Sequence, residues 1–260
     1  MNTDDRVLMQ ARGVGHNYGD RFGCRDVSFE LWPGEVLAVV GESGSGKTTL
    51  LGALSQRLAL SEGTIRYRLA DGEEVELSQL SESRVRNLWR SEWGFVHQNP
   101  EDGLRMHVSA GGNIGEPLMA TGWRHYGTIR ATASEWLERV EIPVSRIDDA
   151  PVTFSGGMRQ RLQIARNLVV SPRLVFMDEP TSGLDVSVQA RLLDLIRYLV
   201  AELGLAVVIV THDLGVARLI SHRTIVMKEG RVIESGLTDR VLDDPQAEYT
   251  QLLVSSILGG

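Results

Sequence analysis

The apolar residues fall into two kinds of run, and the contrast between them predicts the architecture. Val36-Leu37-Ala38-Val39-Val40, Leu174-Val175-Phe176-Met177 and Ala206-Val207-Val208-Ile209-Val210 are continuous. None offers a polar position to water, so each reads as a strand buried on both faces. Ahead of the first run, Val27, Phe29 and Leu31 alternate with polar residues, the two-residue period of a strand with one wet face, and Trp32-Pro33-Gly34-Glu35 reads as the turn between them. Leu50, Leu51, Ala53 and Leu54 then carry the spacing of a helix packed on a sheet, and residues 188–202 read as a helix between the second and third runs. Alternation of buried strands with amphipathic helices predicts an α/β fold with a mainly parallel sheet covered on both faces.

Residues from about 99 to 153 break this alternation. Trp136, Leu137 and Val140 are helically spaced, and glycines and prolines punctuate the stretch, which predicts an inserted, mostly helical subdomain. A core formed by residues 1–98 and 154–260 would surround it within a single domain of 1–260. Near the end, Thr224–Met227 and Arg231–Glu234 flank Lys228-Glu229-Gly230, a hairpin signal. No internal repeat or low-complexity tract interrupts the chain.

Composition narrows the function classes. With 260 residues, 42% of them hydrophobic, the chain sits near the upper size for one core. A formal net charge of -7 argues against an electrostatic hold on nucleic acid or anionic lipid, although local basic patches stay open. The single cysteine, Cys24, leaves no internal disulfide and no cysteine cluster for zinc; it is expected to be a buried thiol in a reducing compartment. Met1–Arg12 is polar and acidic without the apolar core of a signal peptide, and no run of about 18 apolar residues occurs. The expectation is a cytoplasmic chain that reaches a membrane only through another protein.

The chemistry concentrates at the ends of the buried strands. Gly41-Glu42-Ser43-Gly44-Ser45-Gly46-Lys47-Thr48-Thr49 fits G-x-x-x-x-G-K-[ST] between a buried strand and a helix, the context that pattern requires. A phosphate chain needs a concave set of backbone N–H donors, and glycine lets the backbone approach it without a Cβ in the way. The positive end of the helix adds to the cradle. Lys47 is placed to pair with the β and γ phosphates, and Thr48 to bind Mg²⁺. The alternative is a glycine-rich connecting turn. Asp178 and Glu179 follow the strand 174–177, so they face the crevice at the carboxyl ends of the strands. Asp178 can hold Mg²⁺ through its water shell, and Glu179 can orient or deprotonate an attacking water. Alone, such a pair would be a solvated strand cap.

Together the two elements describe a nucleotide hydrolase or kinase. Phe154-Ser155-Gly156-Gly157-Met158-Arg159-Gln160-Arg161 then opens a helical pattern through Leu162, Ala165, Leu168 and Val169. A serine and two glycines at a helix start form a second anion cradle, or a plain capped helix.

On these residues the chain resembles the ATP-binding cassette (ABC) family over nearly its whole length. The resemblance implies a P-loop ATPase core with an N-terminal antiparallel β subdomain and an inserted α-helical subdomain. It implies that Ser155, Gly156 and Gly157 are the signature that meets the γ-phosphate bound by an opposing subunit, so that two chains, identical or related, pair head to tail around two ATPs. Gln98 matches the glutamine that senses Mg²⁺ and the γ-phosphate, and Ser182-Gly183-Leu184-Asp185 matches the loop that crosses the dimer. His212 matches the switch histidine on the γ-phosphate, and Tyr18 stands where the family sets an aromatic ring against adenine. Singly, Tyr18, Gln98 and His212 would be ordinary packing or loop residues. His16, His97, His107, His125 and His222 have no metal-ligand spacing with one another and receive no ligand role.

Phe154 replaces the usual signature leucine and Met158 the usual glutamine, as in the peptide and nickel importer branch, which residues 244–253 also resemble. The stretches His97–Met106 and Gly112–Leu118 are most similar to the ATP-binding subunits of phosphonate carbon–phosphorus lyase systems. That likeness implies docking on a soluble lyase core through the helical subdomain behind Gln98; the importer likeness implies membrane permease subunits instead. A nucleotide-gated clamp with incidental turnover is a third reading, and a kinase would leave the signature and His212 unexplained.

Overall fold

A computed structural model of the chain describes residues 6–258; residues 1–5 of the stretch Met1–Arg12, and residues 259–260, lie outside the described residues. In chain order the elements begin with strands β1 (Met9–Tyr18), β2 (Arg21–Leu31) and β3 (Val36–Val40), helix α1 (Lys47–Leu54), strands β4 (Glu62–Arg68) and β5 (Glu74–Glu76) and helix α2 (Glu82–Ser91). Strand β6 (Trp93–Val96) precedes helices α3 (Pro100–Gly103), α4 (Ala110–Ala120), α5 (Tyr126–Arg139) and α6 (Gly156–Leu168). Strand β7 (Leu174–Asp178), helix α7 (Val186–Leu203), strand β8 (Ala206–Thr211) and helix α8 (Leu214–Ile220) follow. The chain closes with strands β9 (Arg223–Lys228) and β10 (Arg231–Leu237) and helices α9 (Thr238–Asp243) and α10 (Glu248–Leu258). These elements divide between two compact units, one of Met1–Val85 with Gly204–Gly260 and one of Arg86–Leu203.

In the first unit β3 lies between β8 and β9 and runs parallel to both, while β10 returns antiparallel on β9. A strand hydrogen-bonded on both edges and covered on both faces favours apolar side chains, and every residue of β3 and β8 is buried, Thr211 at the carboxyl end of β8 included. Each such valine or isoleucine contributes about 1.5–3 kcal/mol of burial. The β9–β10 hairpin turns on Glu229 and Gly230, both with positive φ (48° and 77°), a type I′ turn matched to the strand twist. The same unit holds an antiparallel sheet in the order β2-β1-β4-β5, and α1 packs against β1, β2 and β8.

In the second unit β6 and β7 pair in parallel from Trp93↔Leu174 to Val96↔Met177, and Leu174–Met177 is buried throughout. Trp93 meets Phe176 edge to face at 5.7 Å, which fills the space beneath the two strands with aromatic carbon. Residues 100–153 hold α3, α4, α5 and two single 3₁₀ turns, with no strand among the described residues. Helix α4 packs on both α5 and α6.

The elements extend beyond the apolar runs that announce them. Strand β2 begins at Arg21, β7 includes Asp178, and α7 runs from Val186 to Leu203, because backbone pairing continues past the last buried side chain. No helix among the described residues is long and apolar enough to cross a membrane.

Candidate functional site

The first unit carries the glycine loop. Gly41, Gly44 and Gly46 have φ of 150°, 79° and 99°, a region that residues with a Cβ avoid. A Cβ on Gly41 would stand 2.2 Å from the Met227 carbonyl oxygen, and one on Gly46 2.2 Å from that of Gly23. The loop is thus threaded between β2 and β9, and the Ser45 carbonyl accepts the Gly230 N–H at 2.9 Å. Helix α1 starts on Gly46 with no side-chain cap. Its first N–H groups belong to the loop's concavity rather than to a serine or aspartate.

Lys47 is only 5% exposed. A buried ammonium needs partners, and its Nζ donates to the carbonyls of Gly41 and Glu42, each at 2.8 Å. Thr48 is exposed beside it. A cavity of about 380 Å³ is lined by Tyr18, Arg21, Phe22, Gly23, Gly44, Gly46, Lys47, Thr48 and Thr49. Tyr18 therefore shares a wall with the loop: its Oη lies 3.5 Å from Thr49 Oγ1, and His16 meets its ring edge-on at 4.6 Å. His212 follows β8 directly and is exposed; the next residue, Asp213, caps α8 by accepting the N–H groups of Gly215 and Val216 at 2.7 and 3.3 Å.

The second unit carries the carboxylates and the signature. Asp178 is the last residue of β7, and Glu179 leaves the strand with φ of 41°. That left-handed turn costs about 1–2 kcal/mol and takes the side chain off the strand's alternation. Gln98 Nε2 donates to Ser182 Oγ at 3.1 Å and to Glu179 Oε2 at 3.5 Å, so the glutamine and the carboxylate stand together. The peptide ahead of Gln98 is tied to α6: the His97 N–H donates to Gln163 Oε1 at 2.6 Å, and the His97 carbonyl accepts from Gln160 and Gln163 at 3.2 Å each. Both glutamines are fully enclosed, and Gln163 also donates to Gln160.

Ser155 caps α6, its Oγ accepting the Met158 N–H at 3.3 Å. Ser155 and Gly156 are exposed, whereas Gly157 is buried. A Cβ on Gly157 would lie 2.6 Å from Val188 Cγ1, so glycine here lets α7 approach. The start of α7 is held by the Asp185 carbonyl, which accepts the N–H groups of Val188 and Gln189, while the Asp185 side chain is exposed. Behind Gln98, buried Asn113 accepts the Arg105 N–H and donates to the Arg105, Val108 and Ser109 carbonyls. Glu116 bonds Arg105 and, at 2.8 Å, Arg166. Burial pushes its carboxyl up, but the two guanidinium groups outweigh that and hold it below the usual carboxylate range.

Cys24 is buried, and burial pushes its thiol up, away from the reactive thiolate.

With this geometry in view, residues 24–182 match the ABC transporter family, and residues 150–218 match an AAA-domain family. The chain belongs to the ABC ATPase family. It is 68% identical over 254 residues, covering 98% of this chain and 99% of the other, to PhnK of Escherichia coli (strain K12), whose name assigns it to phosphonates utilization as an ATP-binding protein. It is 40% identical over 243 residues, 89% of this chain and 71% of the other, to a protein named for peptide import and ATP binding in Brucella melitensis biotype 1. Among solved structures, the dimeric ATP-binding cassette MJ0796 in a post-hydrolysis state with ADP and Pi aligns at a TM-score of 0.78 and 28% identity, covering 89% and 99% of the two chains. The cbiO1 protein of Clostridium perfringens, part of the ABC transporter complex cbiONQ, aligns at 0.80 and 28%, covering 92% of each.

This ABC ATPase is an ATP hydrolase, and its fold groups the residues its sequence singled out into three sets: Tyr18 with the loop, Gln98 with Glu179, and Ser155–Gly157 with the α7 start. Sequence reasoning passed over Phe22 and Arg21, which line the loop's cavity, because a ring and a cation at a hairpin end look like any surface pair. It also passed over Gln160 and Gln163, whose signal was polar residues three apart on the buried face of α6.

Proposed function

We propose that the chain binds Mg-ATP, pairs head to tail with a second cassette around the nucleotide, and passes the closure and reopening of that pair to a soluble carbon–phosphorus lyase core in phosphonate catabolism. The observation that carries the pairing is the exposed, serine-capped start of α6 at Ser155 and Gly156, a cradle presented outward. The 68% identity to PhnK over almost all of both chains supports the phosphonate assignment.

In this reading the glycine loop and Lys47 take the β and γ phosphates of one ATP, Tyr18 stacks on the adenine, and Ser155–Gly157 of the opposing cassette caps the γ-phosphate, with Asp185 at the same seam. The oxygen donors fit a hard divalent cation: the Thr48 hydroxyl, the Asp178 carboxylate and the Gln98 carboxamide would hold Mg²⁺. Bound there, the ion supplies charge neutralisation to the phosphate oxygens. Glu179 orients the attacking water and takes its proton, the water oxygen bonds to the γ-phosphorus, and the bond to the β–γ bridging oxygen breaks with its electron pair going to ADP. Gln98 links this chemistry to residues 99–153, the subdomain that docks on the partner, and His212 steadies the γ-phosphate. Loss of that phosphate lowers affinity for the closed pair, which is how the partner is driven. The setting is cytoplasmic.

Glu179→Gln should keep ATP binding, lose about 10³-fold in turnover and accumulate as an ATP-dependent dimer on size exclusion. Turnover at the native rate would remove Glu179 from the mechanism. The 40% identity to a peptide import protein favours an importer subunit as the second reading. Affinity capture with the Glu179→Gln chain and ATP separates the two: soluble lyase subunits support the first, and membrane permeases alone replace it with the second.

A further inference from the structure

The C-terminal helix reaches the glycine loop. Tyr249 of α10 accepts the backbone N–H of Glu42 on its Oη at 3.3 Å, across 207 residues of chain. That N–H belongs to the peptide whose carbonyl, on Gly41, receives Lys47 Nζ at 2.8 Å. One peptide plane is therefore held from both sides, by the lysine on its oxygen and by the tyrosine on its nitrogen. An acceptor on the N–H polarises the amide and makes its carbonyl a better acceptor for the lysine.

Helix α10 is itself fixed so that Tyr249 arrives there. Glu234 of β10 accepts the N–H groups of Gln246 and Ala247 at 2.9 and 3.0 Å, one on each carboxylate oxygen. The Tyr249 ring lies 4.8 Å from the Lys228 ammonium, beside the Met227 carbonyl that crowds Gly41. Partial burial pushes the Tyr249 hydroxyl's pKa up, so the side chain stays a phenol through the physiological range.

We propose that Tyr249 is a positioning residue for the ATPase reaction, setting the Gly41–Glu42 peptide and through it Lys47, so that the seating of α10 tunes ATP affinity. The proposal rests on reading Gly41–Thr48 as the phosphate loop. It assigns the C-terminal helix a part in nucleotide binding rather than in packing alone.

The test uses the full chain and measures ATP affinity, KM and kcat for Tyr249→Phe, with thermal melting as the stability readout. Phenylalanine keeps the ring over Lys228 and removes only the acceptor. Expected are ATP binding and KM weaker by up to about fivefold, the scale of one neutral hydrogen bond, with kcat changed less and the melt lowered by no more than the loss of one such bond. Glu234→Ala should weaken ATP by a similar factor, and the double variant should be no weaker than either single one, because both act through one contact. Native affinity in Tyr249→Phe, or additive losses in the double variant, would overturn the proposal. Lys47→Ala distinguishes this from failure of the loop reading: native ATP binding in that variant removes the loop itself from the site, whereas lost binding there with a silent Tyr249→Phe removes only the tyrosine.

Discussion

The helices α1 and α6 both begin on glycine-rich sequence, and they use their glycines for different physical ends. At the start of α1, Gly41, Gly44 and Gly46 all have positive φ, the cap position is a glycine with no side-chain partner, and a buried lysine leans on the loop's own carbonyls. At the start of α6 neither Gly156 nor Gly157 has positive φ, and the cap is a serine hydroxyl. The first start is a cradle with its own cation and cavity. The second is a well-formed helix end with a bare outer face, and it becomes a site only when something is brought to it. Glycine count alone does not separate these, but neighbouring atoms do.

The largest effect expected from that contrast is at Gly46. A Cβ there meets a backbone oxygen at 2.2 Å and a φ of 99°, neither of which a side-chain rotation can relieve. Gly46→Ala should cost about 3 kcal/mol or more in urea unfolding and abolish ATP binding together with stability. Gly157→Ala comes next. Its Cβ would lie 2.6 Å from Val188 Cγ1, a stiff branched side chain, so α7 must shift, at about 1–3 kcal/mol. Truncating the neighbour in Gly157→Ala/Val188→Ala should recover most of that cost. A double variant as unstable as the single would mean that the glycine serves the helix backbone and not the approach of α7.

This comparison also marks what the sequence could and could not disclose. Strands β3, β7 and β8 were legible because burial on both faces leaves an unbroken apolar run. Strand β1 was not, because its pairing with β2 slips between Ala11 and Val14, between Val14 and His16 and again at Asn17, which destroys the two-residue period. In β4 only Ile65 and Tyr67 are buried among charged and small residues, too few for a pattern. The residues of the glycine loop declared themselves by spacing, since the chain makes that cradle within nine consecutive positions. Phe22 reaches the same cavity from a hairpin end and Tyr249 reaches the loop from the opposite end of the chain, and nothing local links either to a phosphate.

Ser155→Ala should have a smaller and more divided effect. The hydroxyl that accepts the Met158 N–H is lost, which costs about 1 kcal/mol of stability, the usual size of a helix cap. ATP binding to the isolated chain should stay unchanged, because the loop around Lys47 does not use Ser155. Nucleotide-dependent dimerisation and turnover should fall well beyond what the lost cap explains. Equal losses of stability and turnover, restored together by Ser155→Asp, would reduce Ser155 to a capping residue.

The smallest stability effect belongs to Gly156, and for that reason it isolates the outward face most cleanly. A Cβ at Gly156 would find Leu184 Cδ2 at 3.7 Å, an ordinary contact, and its backbone needs no positive φ. Gly156→Ala should therefore unfold within about 0.5 kcal/mol of the native chain, since alanine at a helix start loses less backbone entropy than glycine. The added methyl would stand on the exposed surface where, in the proposed pairing, an opposing nucleotide's γ-phosphate must come within hydrogen-bond reach of the backbone. Turnover and ATP-dependent pairing should drop while monomer affinity for ATP holds. If a folded Gly156→Ala chain hydrolyses ATP at the native rate, the outer face of α6 is spared close approach, and the difference between the two glycine-rich helix starts is one of packing alone.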